Sequence, residues 1–381
     1  MAYFDNAATT YPKPEIVYEF MNSFYKSCGA NAGRGNYSMS QSAGEMISDT
    51  RTRIKKLFKC KSKNVVFTPT ATIALNIVLQ GLIRDGKRTV YLSPFEHNAV
   101  TRIMHNYESS GNIKTHMLHV SKDYKYDLER IKYQFQENHP DLVVISHASN
   151  VFGIVSPIEK LFELAKKYSA VTVADLSQTA GLLNVDLGSE LFDYAVFAGH
   201  KTLYAPTGIS GFIMGNDTDL PPILFGGTGY DSANQDMPKS IPEKYEMGTL
   251  NISGIAGLNA ALRWHDEITT DVIRKKEEEN RNRLIEILKQ HSFINLIAAE
   301  TNNDYVGIVS CQIDGLSSDT AGTIFDQMGI AVRSGLQCAP LAHKFANTYP
   351  EGTIRFSVSY FTSESDFSEL EHALCSIGEE L

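Results

Sequence analysis

Three short stretches of this chain place reactive side chains where β-rich runs give way to loops. In AGHKTLYAPTG, Lys201 follows such a run, with Gly199 before it and a Pro-Thr-Gly turn after it. A lysine is ordinarily a solvated surface charge. Here the small residues let the backbone approach a ligand, and the aromatic and apolar surroundings would desolvate the amine, lowering its pKa toward nucleophilic use. In VTVADLSQTAG, Asp175 ends a β-branched run and Gln178 follows in the next turn. An aspartate there can simply cap that turn. Beside a lysine that forms a Schiff base, it would instead keep a pyridine nitrogen protonated, so that the ring draws electrons from a carbanion. In NVVFTPTATIALN, a Thr-rich turn joins a strand to a helix. Free N–H groups and the dipole of that helix start suit a phosphate, with the Thr72 hydroxyl assisting, although an ordinary N-cap by Thr70 or Thr72 explains the same residues.

The elements that must position these groups are legible as alternation. NVVFTP, RTVYLS, THMLHV, DLVVISHA, AVTVADL, DYAVFAG and ISGFIMG read as strands, with TIALNIVLQGLI and SPIEKLFELAKKY as helices between them. Such alternation predicts an α/β domain with a mainly parallel seven-stranded sheet, whose functional residues sit at the carboxyl ends of the strands. The Gly- and Pro-rich stretch LFGGTGYDSANQDMPKSIPEKYEMGTLN reads as an irregular functional loop. The charged run TTDVIRKKEEENRNRLIEILKQH reads as a helix with a solvated face that links two domains. Beyond it VGIVSCQID, GIAVRSG and GTIRFSVSY read as strands and DTAGTIFDQMG and SDFSELEHALCSIG as helices, which predicts a smaller α+β domain. The expected division is an N-terminal segment 1–20 packing with the small domain, a large domain 21–260 and a C-terminal domain 261–381.

Composition narrows the partners. The 381 residues carry 44 acidic against 35 basic side chains, a formal charge of -9, which disfavours nucleic acid and anionic membrane and favours a small substrate. No basic leader precedes an apolar run, and no stretch approaches the roughly 18 consecutive apolar residues of a membrane span. The five cysteines (Cys28, Cys60, Cys311, Cys338 and Cys375) are odd in number and scattered, which suggests no disulfide framework or zinc site and fits a reducing, cytoplasmic setting. GGTGYD lacks the spacing of a nucleotide-binding loop, and no H-E-x-x-H pattern points to a catalytic metal.

Taken in order, YFDNAATTYPKP, GRGNYSMS, FTPTATIALN, FEHNAV, SHASNVFGIVSPI, ADLSQTAG, AGHK, EMGTLN, RSGLQCAPLAH and TIRFSVS make the chain resemble the class V aminotransferase group of fold-type I pyridoxal-5'-phosphate (PLP) enzymes. Within it, the resemblance is to the group II cysteine desulfurases and selenocysteine lyases. That resemblance implies that Lys201 binds the cofactor covalently, that Asp175 supports its ring nitrogen and that His97 stacks on the ring and moves protons. It further implies that Asn150 and Gln178 bond the ring hydroxyl and that Ala71, Thr72 and His200 hold the phosphate. Thr249 is similar to a threonine that reaches a neighbouring subunit's phosphate, which implies a homodimer. Arg355, on a strand, suits a bidentate clamp on a substrate carboxylate, with Asn150 beside it. Arg34 is similar to a family position near the cleft and is a second substrate-binding candidate.

Cys338 decides the reaction. In the group II pattern a cysteine on this short loop attacks the substrate sulfur and carries it away as a persulfide, and Arg333 would favour its thiolate. The resemblance thus implies release of alanine from L-cysteine or L-selenocysteine, with delivery of sulfur to an acceptor protein or reductant. Two alternatives stay open: a carbon–sulfur β-lyase or aminotransferase in which Cys338 is structural, and a sulfur-trafficking partner without turnover. Two departures from the family pattern stand out. Ala198 replaces a Ser or Thr that assists the phosphate, and Gln337 replaces a common His beside the cysteine.

Overall fold

The computed structural model describes residues 1–380 apart from 33, 34, 36, 217, 231 and 232. The chain opens with a short strand, β1 (Ala2–Tyr3), and helices α1 (Glu15–Cys28) and α2 (Ser38–Leu57). There follow β2 (Asn64–Thr68), α3 (Ala71–Arg84), β3 (Thr89–Leu92), α4 (Asn98–Ser109), β4 (Lys114–Met117), α5 (Leu128–Glu137), β5 (Leu142–Ser146), α6 (Ile158–Lys166), β6 (Val171–Asp175), β7 (Tyr194–Ala198) and β8 (Ser210–Met214). These seven strands, the seven expected, form one sheet in the order β2-β8-β7-β6-β5-β3-β4.

The sheet is parallel from β7 through β4, while β8 runs antiparallel to both β7 and β2. Two reversals restore the original direction, so β2 ends on the same edge as β7, β6, β5 and β3. That edge is where the chemistry collects. Alternation puts Val65, Phe67, Val143, Ile145 and Phe197 on one face and Val66, Val144 and Val196 on the other. Both faces are covered, which is why β5 and β7 are buried throughout and read as unbroken apolar runs.

No helix or strand is assigned among the described residues between β8 and α7 (Ile252–Ile268), as the irregular composition of that stretch leads one to expect. Helix α7 packs against α1 and α2, and residue 260 falls within it. The C-terminal part comprises α8 (Thr270–Lys289), β9 (Ile294–Ile297), β10 (Ile308–Ile313), α9 (Ser318–Gln327), β11 (Ile330–Ala331), α10 (Pro340–Phe345), β12 (Ile354–Ser357) and α11 (Glu364–Glu380). Here β12-β10-β9 make an antiparallel sheet, and β1 pairs in parallel with β11. Among the described residues no helix is long and apolar enough to cross a membrane.

One expectation needs correction. The charge run of α8 is not simply a solvated face, because Glu277 and Arg281 are buried. Arg281 lies 3.9 Å over the Tyr305 ring and donates to the Ala299 carbonyl. Glu277 accepts the Gly307 N–H at 2.8 Å, and burial pushes its carboxyl up to about 7. A carboxyl raised by folding binds more protons in the native than in the unfolded state, so its contribution to stability falls as pH rises through that window. Glu277→Gln should remove this dependence. In urea melts from pH 4.5 to 7.5 the wild type should lose roughly 3 kcal/mol relative to the variant, and parallel pH profiles would reject the assignment.

Candidate active site

A cleft of about 280 Å³ opens at the carboxyl edge of the large sheet, with Lys201, Asp175, Gln178 and Asn150 among its lining residues. Lys201 stands just beyond β7. Gly199 permits the tight turn, since a Cβ there would lie 2.3 Å from the Ile209 carbonyl oxygen on the returning strand. Burial lowers the Lys201 amine to about 8, the Asp175 carboxylate opposing that shift and Arg355 reinforcing it. The turn is also held from outside. The His200 carbonyl accepts from the Thr9 hydroxyl, the Thr10 N–H and the Lys13 ammonium, and the Lys201 carbonyl accepts from the Thr10 hydroxyl.

Asp175 ends β6, and its Oδ1 accepts both the N–H and the hydroxyl of Ser177, at 2.9 and 2.5 Å. The turn-capping role and the functional one are therefore compatible, because capping engages one oxygen and leaves the other to the cleft. Gln178 donates to the Ala7 carbonyl at 3.0 Å. Asn150, past the end of β5, donates to the Gln337 carbonyl at 2.6 Å.

His97 caps α4, its Nδ1 accepting the Ala99 N–H at 3.0 Å, so the proton of the neutral ring sits on Nε2. Burial and the Lys201 charge lower this histidine to about 4, which keeps it neutral. Opposite it, Thr70 caps α3 by accepting the Ile73 N–H. Ala71 and Thr72 thus lie at the helix start, on the cleft wall with His200 and Ala198. Burial likewise lowers His200 to about 4.

The C-terminal part meets the cleft at Asn150, one of its lining residues, which bonds both Arg355 and Gln337. Arg355, on β12, is buried, donating to the Asp5 carboxylate at 2.7 Å and to the Asn150 carbonyl at 2.9 Å. Cys338 is exposed. It lines a groove with Thr72, His97 and Arg102 that adjoins the cleft, close enough to bear electrostatically on Lys201 and Arg355.

Two expected residues are not gathered here. Thr249 is exposed and borders a separate hollow with Phe67 and Tyr245, and Arg34 lies outside the described residues. Other contributors carried no chemical signal in the sequence. Asp5, Thr9, Thr10 and Lys13 all fall in YFDNAATTYPKP, whose recurrence in the family was the only hint. Glu96 is fully buried behind the cleft, both oxygens accepting from Ser146, and burial pushes its carboxyl up to about 8. Its place directly before His97 could have suggested it.

Several buried polar atoms around the cleft have no partner among the described residues: Asn150 Oδ1, His200 Nδ1 and Arg355 Nε. Buried groups of this kind are normally satisfied. Together with the helix start at Ala71 and the open side of Asp175, they match what a phosphorylated, hydroxylated pyridine and an attached carboxylate would need.

A large mainly parallel sheet with a buried lysine of lowered pKa and an aspartate at its carboxyl edge is the architecture of the fold-type I PLP enzymes. The chain belongs to the aminotransferase class-V family, whose profile matches residues 2–370. It is 28% identical to a probable cysteine desulfurase of Vibrio cholerae over 98% of this chain and 93% of the relative. It is 29% identical to one of Pyrococcus abyssi over 95% and 90%. Among solved structures, the apo cysteine desulfurase of Thermococcus onnurineus superposes with a TM-score of 0.91 at 27% identity, covering 100% of this chain and 95% of that one.

The Asp5–Arg355 pair yields a stability test. Asp5→Ala would strand a buried guanidinium, at a cost of about 3 kcal/mol in urea unfolding. Asp5→Asn, which retains an acceptor, should lose less. Equal and negligible losses would show that Asp5 does not neutralise Arg355.

Proposed function

We propose that this protein is a PLP-dependent cysteine desulfurase, taking L-cysteine, or L-selenocysteine by the same chemistry, and releasing alanine while Cys338 keeps the chalcogen as a persulfide or its selenium analogue. The single observation that carries the reading is that the groove bearing Cys338 adjoins the cleft bearing Lys201, the two sharing Thr72, His97 and Ala99 as common walls. The comparisons above agree with it.

PLP, when bound, supplies an electron-accepting ring that acidifies the α-hydrogen of an attached amino acid. The chain's own residues do the rest. Lys201 is the covalent anchor. Once displaced by the substrate, its amine, already lowered toward neutrality, takes the proton from the α-carbon. The free oxygen of Asp175 would support the protonated ring nitrogen. His97, with Nε2–H as donor, would flank the ring, while Asn150 Oδ1 and Gln178 would bond its hydroxyl. The N–H groups of Ala71 and Thr72, the Thr72 hydroxyl and His200 Nδ1 hold the phosphate. With Ala198 in place of a hydroxyl residue, the helix start carries a larger share of that anion.

Arg355 receives the substrate carboxylate through Nε and its remaining N–H protons without releasing Asp5, so its fork is already aimed when substrate arrives. Cys338 then attacks the substrate sulfur. The S–Cβ bond breaks with its electron pair going to carbon, protonation yields alanine, and the sulfur remains on Cys338 until a reductant or an acceptor thiol removes it.

The same proposal includes a homodimer, in which the exposed Thr249 reaches the neighbouring subunit's phosphate, and a division into large and small domains near residue 260 with segment 1–20 joining the small one. It also includes cytoplasmic residence, which the free cysteines support.

Mass spectrometry after incubation with cysteine should find one added sulfur on Cys338 and free alanine in solution. Cys338→Ala should keep cofactor absorbance but lose the added sulfur and at least about 99% of alanine formation. Undiminished sulfide with pyruvate from that variant would instead establish β-elimination. Lys201→Ala should abolish both products and leave no pyridoxyl group fixed by borohydride.

A further inference from the structure

Cys338 sits in an unusual backbone. Gln337 and Cys338 have φ of 40° and 58°, two successive side-chain-bearing residues in the left-handed region, which L-residues avoid. Such a turn persists only where its surroundings over-determine it. We propose that Gln337 and His343 form a positioning pair that locks this turn and fixes the Cys338 thiol at the mouth of the cleft, an inference that rests on the desulfurase reading for its catalytic consequence.

The hydrogen bonds leave one arrangement of protons. Gln337 is buried, and its amide nitrogen donates to the Thr353 carbonyl at 2.8 Å and toward the Arg333 carbonyl at 3.4 Å. A flipped amide would set its oxygen against both carbonyls. Gln337 Oε1 must therefore face His343, whose Nε2 lies 2.9 Å away and is obliged to be the donor. That fixes the tautomer and leaves Nδ1 to accept from the Thr348 hydroxyl at 2.8 Å. The Thr353 hydroxyl adds a second donor to Gln337 Oε1 at 3.3 Å. His343 is wholly buried and held near 4 by that burial, so it stays neutral across the working pH range and acts as a strut.

The backbone is pinned from the other sides. Asn150 donates to the Gln337 carbonyl at 2.6 Å, and the Asn98 N–H at the start of α4 donates to the Cys338 carbonyl at 2.7 Å. Behind the turn, the Thr353 N–H bonds the Gly335 carbonyl at 3.1 Å. Gly352, at φ +74°, approaches so closely that a Cβ would lie 2.3 Å from the Gly335 oxygen. The side-chain amide and the carbonyl of Gln337 are thus committed, while the next residue, Cys338, is exposed. The glutamine that departs from the family pattern holds the turn through a closed neutral network. Sulfur removal then requires the acceptor thiol to come to the cleft mouth, because the turn does not swing out.

Gln337→Glu tests this with little change of shape, since it replaces the donating NH₂ by an oxygen facing two carbonyls. Hydrogen exchange, followed in cofactor-free and loaded protein, should quicken by about tenfold or more at Asn98 and across residues 335–339. In the loaded enzyme kcat for alanine should fall at least about tenfold, with KM for cysteine within about twofold and cofactor absorbance unchanged. Thr348→Val, which strands His343 Nδ1, should quicken the same exchange, and Thr348→Ser should restore it. Unaltered exchange in both Gln337→Glu and Thr348→Val would overturn the proposal, as would loosened exchange with undiminished kcat. A wild type that yields no alanine would remove the desulfurase reading alone, and the exchange data would still decide whether the pair locks the turn.

Discussion

The site depends on keeping one amine dry. Lys201 is useful as a nucleophile and base only if burial strips part of its proton affinity, yet the same burial penalises every other charge nearby. The cleft meets this with interleaved signs. Asp175 and Asp5 hold the Lys201 amine up while Arg355 pushes it down, and the balance leaves it about 8. Arg355 is tolerated because Asp5 and a main-chain carbonyl occupy its fork. His97 and His200 escape the problem by remaining neutral. No charge in this group can be altered without shifting its neighbours, so the proposed substrate carboxylate would enter a field that is already partly compensated.

That balance requires side chains from distant parts of the chain to meet at one edge. The antiparallel β8 makes this possible. By reversing direction twice, the sheet brings the end of β2, with its Thr-rich turn, to the same side as Asp175 and the Lys201 turn. A purely parallel strand at that position would need a crossover helix to reach the same edge. The hairpin-like reversal instead sets Gly199 against Ile209, the close approach that only glycine permits.

Much of this was legible in the residues. Six of the seven strands of the sheet announced themselves because strands buried on both faces are written as short apolar runs, while β4, at the sheet edge, is partly exposed. Lys201, Asp175 and the Thr70–Thr72 turn could be placed because each sits where such a run stops. What stayed hidden was long-range or disguised by amphipathicity. Helix α2 has a polar composition that conceals a narrow packed face, and the inward turn of Glu277 and Arg281 was lost in a run of charges. The Asp5–Arg355 pair joins residues 350 positions apart, and no local pattern encodes it. Gln337 was noticed as a departure, but its compensation by His343, Thr348 and Thr353 emerges only when β12 and the preceding loop lie beside it.

The N-terminal segment explains how the two halves of the site keep their spacing. Ala2 and Tyr3 pair with Ile330 and Ala331, and Asn6 and Ala7 bond Ser357 on β12. A few residues on, Ala7 accepts from Gln178, and Thr9, Thr10 and Lys13 grip the carbonyls around Lys201. Lys13 makes these bonds although burial lowers its amine to about 7. One continuous strap therefore ties the strand bearing Arg355 to the turn bearing Lys201, and passes Asp5 to Arg355 on the way. The distance between the groups proposed to hold the carboxylate and to take the α-proton is set by this strap. A segment with no reactive side chain of its own can thus be as constrained in sequence as the residues it positions.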